Sequence, residues 1–114
     1  MTQCLIKENS YVARIAAWKL GAPNVAIVIG TTIHLYNTNR NEFLSNRRWV
    51  RHELAHVAQF AKYGRLRFIY LYLLESIRNG YYNNRFELEA RVSEDDTALE
   101  ENYLIVPAKS SNLG

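Results

Sequence analysis

The chain has 114 residues, enough for one domain with its own core and too few for two. Hydrophobic residues make up 48% and charged residues 22%, which is the balance of an ordinary globular protein. The formal net charge of +3 comes without a concentrated basic stripe, so we predict no nucleic-acid partner, and the single cysteine, Cys4, excludes an internal disulfide.

The domain boundaries and the location can also be predicted. Residues 1–106 are expected to form one domain, and residues 107–114 a flexible tail. The N-terminus lacks the apolar stretch and small-residue cleavage site of a signal peptide. The longest apolar run, residues 68–74, is too short to cross a bilayer. We therefore predict a cytoplasmic protein without a membrane span.

The first predicted element is a helix over residues 9–20, which ends at a turn over residues 21–24. Its periodicity places four side chains on the buried side: Val12, Ile15, Ala16 and Leu20. The next apolar run, residues 25–29, is rich in β-branched residues and predicts a buried strand.

Residues 31–36 alternate as in a second strand, with Ile33 and Leu35 on one face and Thr32, His34 and Tyr36 on the other. Residues 37–46 are polar and predict a loop, in which Ser45 or Asn46 caps the next helix. That helix is predicted over residues 47–63, ending at Gly64. Its predicted core face consists of Val50, Leu54, Val57 and Ala61.

A further helix over residues 66–78 is apolar on nearly all sides. We predict that one stripe is core, namely Leu66, Ile69, Tyr70, Leu73 and Ile77. The opposite side, Phe68, Leu71 and Tyr72, is then free to bind a second copy or a protein partner. After a turn at residues 79–83, a final helix is predicted from residue 84 through the acidic run 94–101, which would be solvated.

The strongest functional signal is the motif H-E-x-x-H formed by His52, Glu53 and His56. Residues four apart share one face of a helix, so both imidazoles can reach one metal ion. Glu53 points to the same site and can reach a metal-bound water as a general base. This pattern is typical of a zinc hydrolase.

A catalytic zinc site normally needs a third protein ligand. The metzincin extension of the motif is absent, because Gln59 stands where a glycine is required and Lys62 where the third histidine is required. The third ligand is then a downstream carboxylate, or His34 from the preceding strand. Downstream, Glu87 and Glu89 lie on one predicted helix.

At this point the chain resembles the gluzincins, whose third ligand is a Glu near the start of a later helix, commonly in E-x-x-A or E-x-x-x-D. Glu87 with Ala90 fits E-x-x-A, and the stretch RFELEA is similar to the equivalent segment of CAAX prenyl proteases. The size, the strand pair before the motif and the form H-E-x-x-H-x-x-Q are most similar to minigluzincins and related short bacterial zincin-like domains, over roughly residues 25–98.

The resemblance implies a small α+β zincin-like domain: an N-terminal helix, a hairpin or small sheet, the H-E-x-x-H helix and two further helices. It implies His52, His56 and Glu87 as ligands of one zinc ion, with Glu89 as the second choice for the third ligand. One departure concerns Arg91, which stands where a supporting Asp is often found. Since outer contacts tune metal affinity, another residue must support the histidine or the site is weaker.

The expected activity is that of a zinc metallopeptidase that binds an extended peptide along an exposed strand, for which residues 31–36 are the candidate. His34, Tyr81 and Tyr82 are candidate contacts to the substrate or the transition state. For His34 plain exposure is an alternative, and for the two tyrosines loop packing. The alternative function is an inactive or latent zinc-binding module that acts in protein–protein interaction.

Overall fold

A computed structural model describes residues 2–107, which fold into a four-stranded mixed sheet with helices on both faces. The elements in chain order are β1 (Thr2–Lys7), α1 (Tyr11–Leu20), β2 (Val25–Ile29), β3 (Thr32–Tyr36), α2 (Arg40–Ser45), α3 (Arg47–Tyr63), α4 (Arg65–Asn79), α5 (Arg85–Ser93), a 3-10 turn (Thr97–Asn102) and β4 (Tyr103–Pro107). The predicted α+β class is confirmed. No helix in this part of the chain is both long and apolar enough to cross a membrane.

The sheet has the strand order β2-β3-β1-β4, with β1 parallel to both of its neighbours and β2 antiparallel to β3. The prediction of residues 31–36 as an exposed edge is therefore wrong, since β3 lies inside the sheet. Strands β1 and β4 were missed because they pair residues about a hundred positions apart, as in Thr2 with Tyr103. No local pattern reports such a contact.

The predicted tail lies mostly outside the described residues, which end at Pro107. Pro107 itself is the last residue of β4, so the predicted start of the tail is one residue too early. The predicted loop over residues 37–46 is wrong in part, because α2 forms there. Asn39 and Glu42 start α2 with a reciprocal capping box, and Asn46 caps α3 as predicted.

Helix α1 has the predicted extent within two residues but the wrong predicted face. Val12, Ile15 and Leu20 are 39%, 66% and 52% exposed, whereas Ala13 and Ala17 are buried. Of the predicted four, only Ala16 packs against this cluster, and it is partly buried. The small alanine side chains let α1 lie close to β2 and β3. Gly21 ends the helix in the left-handed conformation (φ 67°) that a C-cap requires.

Helix α3 spans the predicted residues and crosses the opposite face of the sheet. Val50, Leu54 and Val57 are fully buried or nearly so, as predicted. They pack on alternate residues of the strands, which include Cys4, Ile6, Val28, Ile33 and Leu35. Ala61 was wrongly predicted to be core: it lines an open groove of about 250 Å³ beside Phe60 and Arg65.

Helix α4 presents the face opposite to the predicted one. Four residues of the predicted core stripe, Leu66, Tyr70, Leu73 and Ile77, are 82%, 65%, 56% and 82% exposed. The fifth, Ile69, is partly buried and packs against the core as predicted. Phe68 is buried, with Leu71 and Tyr72 packed against the core, so the predicted free side is the inner one. Both sides of α4 are apolar, and the buried side is the one whose aromatic rings contact aromatic rings of α3 and α5. Phe68 packs edge to face on Phe60 and Phe86, with ring centroids 4.6 and 5.0 Å apart.

This orientation of α4 predicts unequal effects of two alanine substitutions. We expect Phe68→Ala to lower the free energy of unfolding by about 3–5 kcal/mol, because it empties a buried ring position. Leu66→Ala removes an exposed side chain and is expected to change that free energy by less than about 0.5 kcal/mol. Urea denaturation of both variants measures the difference, and a larger effect of Leu66→Ala would contradict the observed face.

The predicted final helix is wrong beyond Ser93, where α5 ends. The acidic run forms a hydrogen-bonded turn followed by the 3-10 turn, and its carboxylates contact arginines on the N-terminal half of α3. Arg48 pairs with Glu94 and Asp95, and Arg47 and Arg51 pair with Glu100. These ion pairs require the chain to leave the helical path and turn back toward α3.

Candidate metal centre

The motif His52-Glu53-Leu54-Ala55-His56 lies in the middle of α3, where the helix is well supported. Leu54 points into the core, and this fixes the rotation of α3 so that His52 and His56 face α5. The two imidazole rings lie 5.2 Å apart between centroids. The predicted geometry of the histidine pair is therefore present.

Glu87 is brought to the pair by the start of α5. The side chain of Asn84, fully buried, accepts a hydrogen bond from the backbone N–H of Phe86 and donates to the carbonyl of Tyr72 and the hydroxyl of Ser76. These bonds tie the start of α5 to α4. Glu87 then stands three positions after the cap, in the first turn, and its side chain is turned toward the histidines.

Three ligand atoms converge at this point. One from each of His52, His56 and Glu87 lies within 4.8 Å of the others. The Nε2 atom of His52 is 3.0 Å from Oε1 of Glu87, and Nε2 of His56 is 3.2 Å from Oε2. Ligand atoms on a tetrahedral zinc ion stand about 3.3 Å apart, given bond lengths near 2 Å. The three side chains thus fit a small divalent cation.

Glu89, the second choice for the third ligand, is not part of this cluster. It is exposed, and its carboxylate accepts a hydrogen bond from the side chain of Gln59 at 2.8 Å. Residues 87 and 89 point to different sides of α5 because they are two positions apart on a helix. The structure thus places Glu87, and not Glu89, beside the histidines.

Gln59 holds His56 in the tautomer that a metal ion requires. The amide nitrogen of Gln59 donates to the carbonyl of Phe86 and to Glu89, so its oxygen must face Nδ1 of His56, 2.8 Å away. An amide oxygen only accepts hydrogen bonds, so Nδ1 carries the proton. In the neutral imidazole the lone pair is then on Nε2, the atom directed at Glu87.

Glu94 holds His52 in the same tautomer, with the proton on Nδ1. Its carboxylate accepts from Nδ1 of His52 at 2.7 Å and also bonds to Arg48. The supporting carboxylate missing at Arg91 is therefore supplied seven residues after Glu87. Arg91 has a separate contact, since it bonds to the carbonyl of Tyr82 and stacks on its ring. Glu94 was overlooked because the predicted helix placed it on a solvated face.

The charges around the cluster favour a cation. Burial opposes the charged form of His52, but the bond to Glu87 and the negative charges of Glu53 and Glu94 outweigh it and raise its pKa to about 9. In His56, too, the effect of burial is outweighed by Glu87 and Glu53, so its pKa is raised. Burial would raise the pKa of Glu87, yet the hydrogen bonds from both histidines lower it. The Glu87 carboxylate thus stays negative beside the Nε2 atoms of His52 and His56.

Glu53 lies next to the ligand atoms but takes no part in the cluster. It is 5% exposed, and burial raises the pKa of its carboxyl to about 7, against the opposing effect of His56 and His52. Among residues 2–107, no group donates a hydrogen bond to its carboxylate. A carboxylate with these properties is suited to exchange a proton with a water molecule.

The three residues predicted as substrate contacts lie in different places. Burial and the charges of Glu87 and Glu53 raise the pKa of the Tyr81 hydroxyl, which lies at the rim of the cluster and is half exposed. Tyr82 is turned away and held by Arg91. His34 lies on the other face of the sheet, where its Nδ1 meets the hydroxyl of Ser10 at 2.8 Å. Of the three, the structure brings only Tyr81 to the site.

Tyr72 is a further contact that the sequence did not indicate. Its hydroxyl donates to Oε2 of Glu87 from α4, and burial together with that carboxylate raises its pKa. It was assigned to the wrong side of α4, which hid its role. The sequence offered no local signal for it, because both sides of α4 are apolar.

The outer contacts predict a measurable loss of metal affinity. We expect Glu94→Gln and Gln59→Leu each to weaken zinc binding about 10–100-fold, because each frees an imidazole that is now held in one orientation. Glu101→Gln, on an exposed residue of the same acidic run, is the matched control and should leave affinity unchanged. Competition with a chromophoric chelator measures the three constants; equal affinities would show that these contacts do not orient the ligands.

No protein-family model matches this chain, and no curated protein or solved structure shows significant similarity to it. The assignment of the site therefore rests on its own residues and their geometry.

Proposed function

We propose that this protein is a small zinc metallopeptidase with a zincin-like fold, in which His52, His56 and Glu87 hold the ion. The observation that carries the proposal is the convergence of these three side chains within 4.8 Å, with Glu53 beside them. Two imidazoles and a carboxylate are a known ligand set of catalytic zinc. Such a set leaves one coordination position open for chemistry.

The residues of the chain have distinct parts in the proposed reaction. A zinc ion in this site would polarise the scissile carbonyl and lower the pKa of a water molecule to about 7. The carboxylate of Glu53 takes the proton of the attacking water and passes it to the leaving amine. Tyr81, at the rim, would donate a hydrogen bond to the developing oxyanion. Gln59 and Glu94 keep the imidazoles oriented.

A second candidate function is a zinc-binding module without catalysis. The observation in its favour is the sheet topology: β3, the strand expected to pair with an extended substrate, is enclosed between β2 and β1. The hydrogen-bonding edge of β3 is therefore not open to a peptide. In this case the site would stabilise the fold or a complex, and its ligands would still bind zinc.

One experiment separates the two candidates. We expect the purified protein to contain one zinc ion, to lose it to a chelator, and to regain it on dialysis against zinc, with cleavage of unfolded protein substrates lost and regained in parallel. Metal analysis and gel-based proteolysis measure the two quantities. Zinc without cleavage at any stage supports the binding module, and absence of zinc throughout contradicts both.

A further inference from the structure

Helix α1 carries an exposed apolar stripe on the side of the molecule away from the candidate metal centre. Tyr11, Ile15 and Trp18 are 79%, 66% and 80% exposed and follow one another at spacings of four and three residues. Residues at these spacings form one continuous stripe on a helix. Such exposure of a tryptophan, a tyrosine and an isoleucine together indicates a surface that contacts something apolar.

Cations border the stripe on both sides. With 3.6 residues per turn, Arg14 falls on one flank of the stripe and Lys19 on the other, and both are exposed. No acidic residue occurs in α1. Lys7 adds a third positive charge on the same side of the sheet. It is the strand partner of His34, and the side chain of His34 contacts Ser10, the N-cap of α1. The nearest acid in the sequence is Glu8, which bonds to the backbone of Arg40.

The sheet continues the apolar surface beside the helix. Helix α1 lies over β2 and β3. By strand alternation, Leu5 of β1 and Leu104 and Val106 of β4 point to the α1 side, and Leu104 is 48% exposed. The acidic run, by contrast, contacts α3 on the opposite side of the sheet. The α1 side of the molecule therefore combines an apolar stripe with cations, and α1 itself contains no acid.

We propose that this side, centred on α1, binds peripherally to an anionic lipid surface. Tryptophan and tyrosine are favoured at the boundary between headgroups and acyl chains, and long cationic side chains beside them reach anionic headgroups. A second copy of the chain fits less well, because two α1 helices face to face would bring Arg14 and Lys19 of both copies together.

The proposal is independent of the metallopeptidase assignment, since it uses none of the residues of the metal centre. Lipid binding through α1 would leave His52, His56 and Glu87 on the far side of the sheet, away from the lipid. Loss of one property is expected to leave the other intact.

Co-sedimentation of the full chain with vesicles tests the proposal. We expect binding to vesicles of phosphatidylcholine mixed with phosphatidylglycerol, little binding to pure phosphatidylcholine, and weaker binding as salt is raised. Arg14→Gln and Lys19→Gln should each lower the partition constant about fivefold. Ile15→Ser with Trp18→Ser should lower it about tenfold or more. The emission of Trp18 should shift to shorter wavelength on binding.

The matched control is Tyr70→Ser with Ile77→Ser on α4, which removes equally exposed apolar side chains elsewhere. Unchanged binding of this control supports the proposal, with circular dichroism checking that all variants are folded. No binding to anionic vesicles, equal binding to neutral ones, or loss of binding through the α4 variant alone would overturn it. So would a dimer, seen by sedimentation without lipid, that Trp18→Ser dissociates.

Discussion

Glu53→Gln is expected to abolish peptidase activity while the protein keeps its zinc. The substitution preserves the size of the side chain and removes its ability to accept the proton of the attacking water. Loss of a general base typically lowers the rate by about 10²–10⁴. Glu53 is not one of the three converging ligands, so zinc content should stay at one ion per chain.

The stability of Glu53→Gln gives an independent check on the same residue. The carboxyl group is buried, receives no hydrogen bond from the described residues, and has a pKa raised to about 7 by burial. A neutral amide removes the penalty of burying a charge, so the melting temperature should not fall. Retained activity, or loss of zinc together with activity, would exclude the role of general base.

Sequence and structure agree best where the signal is local. The caps and the apolar face of α3 predicted its bounds, and Leu54 fixed the rotation that turns His52 and His56 toward α5. Asn84 predicted the start of α5 and hence the place of Glu87 in its first turn. The core of the site could therefore be predicted from spacing and a resemblance in motif.

The differences between the predicted and the observed fold have a common physical cause: long-range contacts override local periodicity. Helix α4 is apolar on both sides, so only its contacts with the rings of Phe60 and Phe86 decide which side is buried. In α1 the small side chains of Ala13 and Ala17 allow the closer approach to the sheet. β4 exists because its partner β1 comes from the other end of the chain.

Glu94 could have been found from its spacing. It stands seven residues after Glu87, so two turns of helix bring both carboxylates to the same side of α5, and the backbone of Glu94 is still helical. On that side its carboxylate contacts Arg48 and His52. The treatment of residues 94–101 as one solvated acidic run obscured this spacing, although Arg91 was correctly identified as unable to support the histidine.

Glu87→Gln is expected to weaken zinc binding by more than the roughly 100-fold that outer contacts provide, because it removes both a ligand and a negative charge. The amide keeps the shape of the side chain, so the bond from Tyr72 can persist and the fold should be retained. Competition with a chromophoric chelator gives the affinity, and circular dichroism checks the fold.

Glu89→Gln is the matched control for this substitution, since it makes the same change two residues away on α5. Glu89 is exposed and reaches the histidines only through Gln59, so its effect should stay within about tenfold. Comparable losses in both variants would mean that α5 contributes charge rather than a specific ligand. A loss of zinc affinity confined to Glu89→Gln would identify Glu89 as the third ligand, which requires a rotation of α5. A loss confined to Glu87→Gln is what the convergence of the three ligand atoms predicts.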